Sequence, residues 1–277
     1  MALSESEKQY YNPKNFCQAF KDWEGNPTNV YEQRDVDEFF NMFLDKLENA
    51  VKGTSHENFI KKHFGGVLSN ELICKECPHY SEREEQFLAI SLQVKNKKTI
   101  QESLTSFVEG EMLEGDNAYL CEKCEKKVPT LKRVCLKKLP NHMILVLKRF
   151  EFDFDNMSKV KVNDSCEFPM TINFENFTQQ GLRKQERKKN NENGSESVEF
   201  DDNNNSWEYD EKYFEYRLRG IVIHMGIADS GHYYSLIQER GNDGVVGPTI
   251  WYEFNDTIVK TFDEKDLPDE AFGGEEK

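Results

Sequence analysis

Apolar residues recur along the chain with two different periods, which separates helical from strand-forming segments. Between Glu32 and Gly53 they lie three or four positions apart with charged residues between them, which predicts an amphipathic helix. The apolar positions of this helix are Val36, Phe39, Phe40, Phe43, Leu44 and Leu47. A second, shorter helix is predicted from Thr99, because Glu102 follows it at the spacing of a capping box.

After Gly65 and Gly66 the pattern changes to short strands with apolar residues at about every second position. The predicted strands are 87–94, 133–138, 143–150, 216–224, 231–238 and 250–254. The segment 179–210 is instead rich in Asn, Glu, Lys and Ser and has few apolar residues. Because ordering it would cost more conformational entropy than burial returns, we predict a disordered insertion within one domain.

Length and charge narrow the classes of protein to which the chain could belong. Its 277 residues suffice for one large domain or two small ones. The net charge of -15 argues against nucleic acid or an anionic membrane as the main partner, but is compatible with a basic protein. No apolar run approaches the length of a membrane span. The polar N-terminus does not fit a signal peptide, so we expect the cell interior.

Four of the seven cysteines form two pairs with the spacing of metal-binding knuckles. Residues 74–77 and 121–124 both read Cys-x-x-Cys, and four thiolates suit one tetrahedral Zn²⁺. Redox-active pairs and a chance occurrence are the alternatives, but a redox motif is expected once, between a strand and a helix, rather than twice in strand-rich segments. The predicted ligands of a structural zinc ion are Cys74, Cys77, Cys121 and Cys124.

The other three cysteines have no Gly-rich turn or helix N-terminus that would lower a thiol pKa. They are Cys17, Cys135 and Cys166. Cys135 alternates with charged neighbours on a predicted strand, so we expect it to be buried. His79 lies near the first cysteine pair, but four cysteines already complete a zinc shell, so we expect a surface histidine.

A histidine and an Asn-Asp pair near the end of the chain indicate hydrolase chemistry. His232 follows turn-forming residues and begins an aromatic strand, and Asn255 and Asp256 close the next predicted strand. In cysteine and serine hydrolases a side-chain oxygen holds one ring nitrogen so that the other can take a proton from the nucleophile. Singly, such a histidine is more often structural and such a pair more often a turn. Together they favour a base and its orienting residue, whereas His224 is expected to serve packing.

Several separate segments together resemble the catalytic domain of the ubiquitin-specific proteases, which are papain-like cysteine deubiquitinases. Besides the two cysteine pairs, they are residues 33–40 (Gln-Arg-Asp-Val-Asp-Glu-Phe-Phe), 147–150 (Leu-Lys-Arg-Phe), 167–169 (Glu-Phe-Pro), 231–234 (Gly-His-Tyr-Tyr) and 251–256 (Trp-Tyr-Glu-Phe-Asn-Asp). In order and spacing they cover nearly everything from Gln33 to about Phe262. Residues 113–119 are similar to the corresponding segment of the large fat-facets-type members.

This resemblance implies an α+β, papain-like fold with a thumb, a palm and zinc-bearing fingers. The expected division of the single domain is a thumb remnant over 1–63, mainly fingers over 64–140 and mainly palm over 141–277. The resemblance also implies hydrolysis of the bond after the C-terminal glycine of ubiquitin, with His232 as general base, Asn255 orienting it and Asp256 supporting. The expected partners are ubiquitin or ubiquitinated proteins, in the cytoplasm, with the nucleus as an alternative.

The nucleophile box of the family, near Gly-x-Thr-Cys-x-x-Asn, does not occur in this chain. In the family it lies well before the helix box that here begins at Gln33, and Cys17 is too close to that box and has different neighbours. We therefore expect that the first part of the thumb is missing, whether in a fragment, a truncated gene model or a short isoform. Such a chain would fold poorly and be inactive by itself.

Two functions follow from the retained and missing residues. The chain is either part of an active deubiquitinase or a pseudoprotease that binds ubiquitin without cleaving it. The retained His232 and Asn255 favour the first, because a binding module has no evident need for both. A zinc-ribbon scaffold unrelated to ubiquitin is a third and weaker alternative.

Overall fold

The computed structural model describes residues 11–29, 35–193, 209–228, 230–239 and 250–274. The predictions for Gln33, Arg34 and residues 194–208 lie outside these ranges. The helices are α1 (Lys14–Ala19), α2 (Val36–Val51), α3 (Phe59–Phe64), α4 (Ile100–Val108), α5 (Gln179–Asn193) and α6 (Leu267–Ala271). None of the helices in the described ranges is both long and apolar enough to cross a bilayer.

The strands belong to two four-stranded antiparallel sheets and four strand pairs. They are β1 (Gly66–Cys74), β2 (Tyr80–Phe87), β3 (Ile90–Gln93), β4 (Glu111–Leu113), β5 (Tyr119–Cys121), β6 (Lys126–Val128), β7 (Thr130–Lys138), β8 (Leu145–Lys148), β9 (Phe150–Asp153), β10 (Ser158–Lys161), β11 (Thr171–Asn173), β12 (Glu215–Arg217), β13 (Gly220–Ile227), β14 (Ser230–Gln238), β15 (Trp251–Asn255) and β16 (Ile258–Phe262). Sheet A has the order β2-β1-β7-β4, and sheet B has the order β13-β14-β15-β16. The mixture of helices and antiparallel sheets agrees with the expected α+β class.

Helix α2 is the amphipathic helix that the sequence predicts. Its described start is Val36, because the Asp35 side chain accepts hydrogen bonds from the backbone N–H groups of Asp37 and Glu38. One end of its apolar stripe packs on Phe20, the residue that follows α1, and the rings of Phe39 and Phe20 are 5.2 Å apart. Phe39 nevertheless remains 42% exposed, so part of the apolar stripe is uncovered.

The main core lies between sheet A and helix α4. The cap of α4 matches the sequence prediction, because the Thr99 hydroxyl accepts from the backbone N–H of Glu102 at 3.1 Å. The Glu102 carboxylate in turn accepts from the N–H of Lys98, one residue before the cap. Leu104 of α4 and Leu136 of β7 are fully buried in this core.

Residues 179–193 form helix α5, so the prediction of a disordered insertion is wrong for this part of the segment. Polar contacts to sheet A hold the helix, in addition to Leu182, which packs against the main core. Gln179 donates to Glu71 at 2.7 Å, and Arg133 forms ion pairs with Glu71 at 2.6 Å and with Glu186 at 2.5 Å. A composition argument that counts only apolar residues misses this source of stability.

The two faces of sheet B have different surroundings. On one face Tyr234, Leu236 and Trp251 are buried against Leu267 of α6. On the other face one row across the sheet consists of Val222, Ser235, Phe254 and Val259. Both valines of this row are 56% exposed, so this face presents apolar side chains with little cover.

Three predicted strands are interrupted in the structure. Segment 87–94 is divided between the end of β2 and β3, and 216–224 is divided between β12 and β13. Segment 143–150 breaks at Arg149, whose guanidinium donates to the carbonyls of Val162, Asp164 and Phe272. These carbonyls lie in loops that are distant in sequence, so strand periodicity does not indicate the break.

Candidate active site and cysteine cluster

Sheet B brings His232 and Asn255 into direct contact. His232 lies near the start of β14, and Asn255 is the last residue of the neighbouring strand β15. The Nε2 atom of His232 is 2.7 Å from Oδ1 of Asn255. An amide oxygen can only accept, so Nε2 carries a proton, and in the neutral imidazole Nδ1 is then the nitrogen that keeps its lone pair. Among the described residues, no group forms a hydrogen bond to Nδ1, which leaves this nitrogen available to accept a proton.

Asp256 lies farther from the His232 ring than Asn255 does and is more exposed to solvent. Its Oδ2 atom is 3.8 Å from Nε2 of His232, and its side chain is 77% exposed. Its backbone has a φ of 50°, and it starts the two-residue turn between β15 and β16. Asn and Asp tolerate this left-handed conformation better than most residues. Asn255 is therefore the closer orienting group, whereas Asp256 forms the turn and lies farther from the ring.

The glycine before the histidine is required by packing against His224. A Cβ atom at Gly231 would lie 2.2 Å from Nε2 of His224, which is closer than any real contact. The His224 ring also packs against Phe150 and Tyr233, with centroids 5.0 Å and 4.7 Å away. Burial, followed by the charge of Lys161, lowers the pKa of His224. These contacts confirm the packing role predicted for His224.

A cleft of about 1240 Å³ lies beside these residues, and it is lined by the first turn of α2 and by sheet B. Its lining includes Asp35, Phe40, His224 and Tyr233. Burial raises the pKa of Tyr233, the Asp35 charge raises it further, and the N–H of Val36 donates to the Tyr233 hydroxyl. The cleft therefore joins the capped end of α2 to the strand that carries His232.

No cysteine sulfur within the described ranges, which include all seven cysteines, lies at hydrogen-bonding distance from the His232 ring. Cys135 is fully buried in sheet A, as expected, and burial raises its pKa. Cys166 is buried beside Val94, and burial raises its pKa as well. A buried thiol with a raised pKa has little thiolate and is a poor nucleophile. Cys17 lies on α1 and is partly exposed.

The two cysteine pairs meet at the far end of sheet A. The sulfurs of Cys74, Cys77, Cys121 and Cys124 all lie within 4.8 Å of one another. Individual Sγ–Sγ distances include 3.5 Å, 3.7 Å and 4.0 Å. Four sulfurs that each lie about 2.3 Å from a tetrahedral zinc ion would be about 3.8 Å apart, so the cluster has the right size. His79 does not belong to this group of described ligands.

The sequence predicts no role for two basic residues beside the cleft, Arg149 and Lys161. Both line the cleft, and both donate to backbone carbonyls. In the sequence each of them is a basic residue in a segment that is otherwise partly apolar. This pattern does not indicate which carbonyls the basic side chain contacts.

The sequence matches a family model along almost its entire length. The model describes the ubiquitin carboxyl-terminal hydrolases, and it matches residues 1–272. The chain belongs to this family. It is 39% identical to ubiquitin carboxyl-terminal hydrolase 24 of Homo sapiens, with 99% of this chain and 10% of that protein aligned. It is 40% identical to ubiquitin carboxyl-terminal hydrolase 9X of Mus musculus, with 99% of this chain and 11% of that protein aligned.

The expected likeness to the fat-facets-type hydrolases is confirmed. The chain is 39% identical to the probable ubiquitin carboxyl-terminal hydrolase FAF of Drosophila melanogaster, with 99% of this chain and 9% of that protein aligned. The chain therefore spans about a tenth of the length of these curated relatives.

Solved structures of a related hydrolase confirm the fold. The chain resembles a chain of the SAGA Ubp8/Sgf11/Sus1/Sgf73 DUB module bound to ubiquitin aldehyde, with a TM-score of 0.67 and 25% identity over 88% of this chain and 48% of that one. The same module with a Ubp8 variant bound to monoubiquitin gives a TM-score of 0.67 at 26% identity, with the same coverage of both chains. The catalytic-domain fold of the hydrolase family, expected from the sequence motifs, is thus present.

Proposed function

We propose that this chain supplies the base and the orienting residue for thiol-dependent hydrolysis of the bond after the C-terminal glycine of ubiquitin. The observation that carries the proposal is the 2.7 Å contact between Nε2 of His232 and Oδ1 of Asn255. It holds the ring in the tautomer whose Nδ1 accepts a proton. Membership of the hydrolase family supplies the reaction class.

In the proposed reaction His232 acts first as base and then as acid. Nδ1 takes the proton of an attacking thiol, and the Asn255 oxygen stabilises the imidazolium that forms. The thiolate attacks the carbonyl carbon, and the imidazolium gives its proton to the leaving amine as the C–N bond breaks and the acyl group stays on sulfur. A water molecule then loses a proton to the neutral His232 and attacks the thioester carbonyl. The proton returns to sulfur as the C–S bond breaks, which releases the carboxyl group and restores the thiol. Asp256 lies 3.8 Å from the ring and is largely in solvent, so it adds only weak stabilisation of the imidazolium.

The thiol of this reaction comes from a polypeptide segment outside residues 1–277. No cysteine sulfur in the described ranges contacts His232, and all seven cysteines are described. Exposed apolar residues on α2 and on sheet B support a missing neighbour on these surfaces. In this proposal residues 1–63 are the thumb remnant, 64–140 are mainly fingers and 141–277 are mainly palm.

A second function, ubiquitin binding without cleavage, is favoured by the same absence of a thiol at His232 in the described part of the chain. The net charge of -15 suits a basic protein partner in either case. Ubiquitin or a ubiquitinated protein is therefore the proposed partner, in the cytoplasm or the nucleus. The presence or absence of a Thr-Cys-x-x-Asn box in the transcript upstream of Met1 would separate the two functions.

The test of this proposal uses ubiquitin that carries a C-terminal electrophile, mixed with the purified chain. We expect ubiquitin to bind in a separate calorimetric titration but no covalent adduct to form, because no thiol is activated. Cys17→Ser is the matched variant, since Cys17 is a partly exposed thiol. An adduct that forms with the starting chain and disappears in Cys17→Ser would overturn the proposed external thiol. Absence of ubiquitin binding would overturn the proposed partner.

We also propose that the four-cysteine cluster binds a structural zinc ion. The ligands are Cys74, Cys77, Cys121 and Cys124, whose sulfurs have the mutual distances that a tetrahedral ion requires. The ion would hold the turn after β1 to the turn after β5, because each turn contributes two ligands.

Metal analysis of the purified chain tests the zinc proposal. We expect about one zinc ion per chain, and loss of most of it in Cys121→Ser, because three remaining thiolates leave the coordination shell open. Cys17→Ser should retain the metal, since Cys17 is not part of the cluster. A metal content far below one per chain in the starting protein would contradict the proposal.

A further inference from the structure

The ammonium group of Lys161 contacts the strand next to the one that carries His232. Its Nζ atom donates to the carbonyl of His224 at 2.8 Å and to the carbonyl of Gly226 at 3.0 Å. Among the described residues, no carboxylate forms an ion pair with it. Burial, and then the charge of Arg149, lowers the pKa of Lys161. This cation is therefore held by two backbone carbonyls in a half-buried position.

These two carbonyls lie at the end of β13 that pairs with the catalytic region of β14. Met225, between them, lies opposite His232, and Gly226 lies opposite Gly231. Gly226 has a φ of 98°, which takes the chain out of the regular strand conformation. A Cβ atom at Gly226 would lie 2.7 Å from the carbonyl oxygen of Ser230, so the two strands are very close here. Lys161 thus contacts the irregular part of the pair.

We propose that Lys161 is a positioning residue for His232. Lys161 holds the carbonyls of His224 and Gly226 and so fixes the end of β13. Strand β14 pairs with this end of β13. The His224 ring, carried by the same stretch of β13, packs on Gly231. The position of His232 relative to Asn255 therefore depends on this contact. The inference rests on the proposed function only in the role given to His232, since the geometry itself requires no reaction.

The alternative role for Lys161 is to anchor its own hairpin, β9–β10, and the hairpin has other supports. Glu151 of β9 forms a 2.8 Å ion pair with Lys95. The Asp153 carboxylate accepts from the backbone N–H of Asp155 at 2.9 Å and from the Asn156 side chain at 2.7 Å, which closes the turn. We therefore expect the hairpin to remain folded without the Lys161 ammonium, which makes the two roles separable.

The experiment measures the ring nitrogens of His232 by ¹⁵N NMR in the full chain and in Lys161→Met. In the starting chain we expect two separate signals, from a protonated Nε2 and an unprotonated Nδ1. In Lys161→Met we expect these signals to broaden and move towards each other. The amides at the end of β13 and the start of β14 should exchange with solvent about tenfold faster, because hydrogen bonds from a charged donor are lost.

Lys159→Met is the matched control, because Lys159 lies on the same strand but is exposed. It should leave the His232 signals unchanged. Lys161→Arg should restore them in part, since a guanidinium can donate to two carbonyls. If Lys161→Met does not fold, Lys161→Gln keeps a neutral amide donor group and should move the His232 signals by an intermediate amount.

Unchanged His232 signals in Lys161→Met or Lys161→Gln, with changes confined to β9–β10, would overturn the proposal. The measurement uses neither ubiquitin nor a thiol. A failure of ubiquitin binding would therefore count against the proposed function and leave the assignment of Lys161 to be decided by the ring signals alone.

Discussion

Asn255 and Asp256 are neighbours in the chain but have different relations to the His232 ring. The Asn255 amide oxygen is 2.7 Å from Nε2, whereas the Asp256 carboxylate oxygen is 3.8 Å away and largely in solvent. Water screens an exposed charge, so Asp256 contributes little to holding the ring. The tautomer of His232 should therefore depend on Asn255 much more than on Asp256.

Substitution of Asn255 by Ala tests this difference in the chain itself. The hydrogen bond contributes about 1 kcal/mol, so its loss should reduce the preference for the Nε2-protonated tautomer about fivefold. The ring nitrogen signals of His232 in ¹⁵N NMR report this ratio directly. Asp256→Ala is the matched control and should change the ratio little. Equal effects of the two substitutions on the tautomer ratio would contradict the assignment of Asn255 as the main orienting residue.

At the residue scale the resemblance to the hydrolase family implies that Asn255 orients His232 and Asp256 supports it, but the two residues themselves give no reason for this division. The pair could be either a turn or an orienter by its sequence alone. In the structure Asp256 makes the turn with its φ of 50°, and Asn255 makes the contact to the ring. Asn255 and Asp256 differ by only one position in their distance along the chain from His232. Strand register therefore decides which of the two side chains contacts the ring.

At the scale of elements, the docking of α5 on sheet A depends on a buried charged group. The Glu71 side chain is completely buried and accepts from Arg133, Tyr80 and Gln179. Taking a carboxylate out of water is costly, and these donors offset that cost only when all are in place. Helix α5 supplies one of them directly and also supplies Glu186, the second partner of Arg133.

Replacement of Glu71 by Gln should destabilise the chain by about 3 kcal/mol, because it leaves the buried Arg133 with a single carboxylate partner. Chemical denaturation measures this change, and hydrogen exchange should show faster opening of α5 than of sheet B. Glu84→Gln is the control on the same sheet, since Glu84 is exposed and pairs with Lys137 at the surface. An effect on Glu84→Gln as large as that on Glu71→Gln would contradict the role given to the buried network.

Regular elements with their own local signals were predictable, and those held by distant partners were not. Helices α2 and α4 carry caps and apolar stripes in their own sequences. Helix α5 has no such stripe and is ordered by residues about a hundred positions earlier in the chain. The break at Arg149 likewise depends on carbonyls in other loops. Local patterns contain no information about partners at that distance.

At the scale of the whole molecule, two apolar surfaces have little cover among the described residues. One is the stripe of α2 around Phe39, and the other is the face of sheet B that carries Val222 and Val259. The cleft lies between α2 and this sheet. Apolar surfaces of this kind mark places where other polypeptide packs, so their exposure should lower the stability of the chain by itself.

We therefore expect the isolated chain to have a low midpoint of thermal unfolding, to bind a hydrophobic dye and to aggregate on heating. Differential scanning calorimetry and dye fluorescence provide the measurements. Val222→Thr is a suitable comparison, because it makes an exposed apolar side chain more polar without leaving a cavity in the core. This variant should bind less dye than the starting chain. Reversible, cooperative unfolding with a high midpoint would count against uncovered apolar surfaces as a source of instability.

The sequence by itself determined the hydrolase family, the amphipathic helix α2, the capped helix α4 and the residues of the cysteine cluster. Each of these depends on residue types at short, fixed spacings, which a single sequence displays directly. The tertiary structure supplied the physical reason for preferring Asn255 to Asp256, which is its shorter distance to His232. Only the tertiary structure decided that residues 179–193 form a helix and that Lys161 contacts the strand beside His232. These features depend on strand register and on pairs of residues far apart in the chain, and such contacts form only when the fold brings them together.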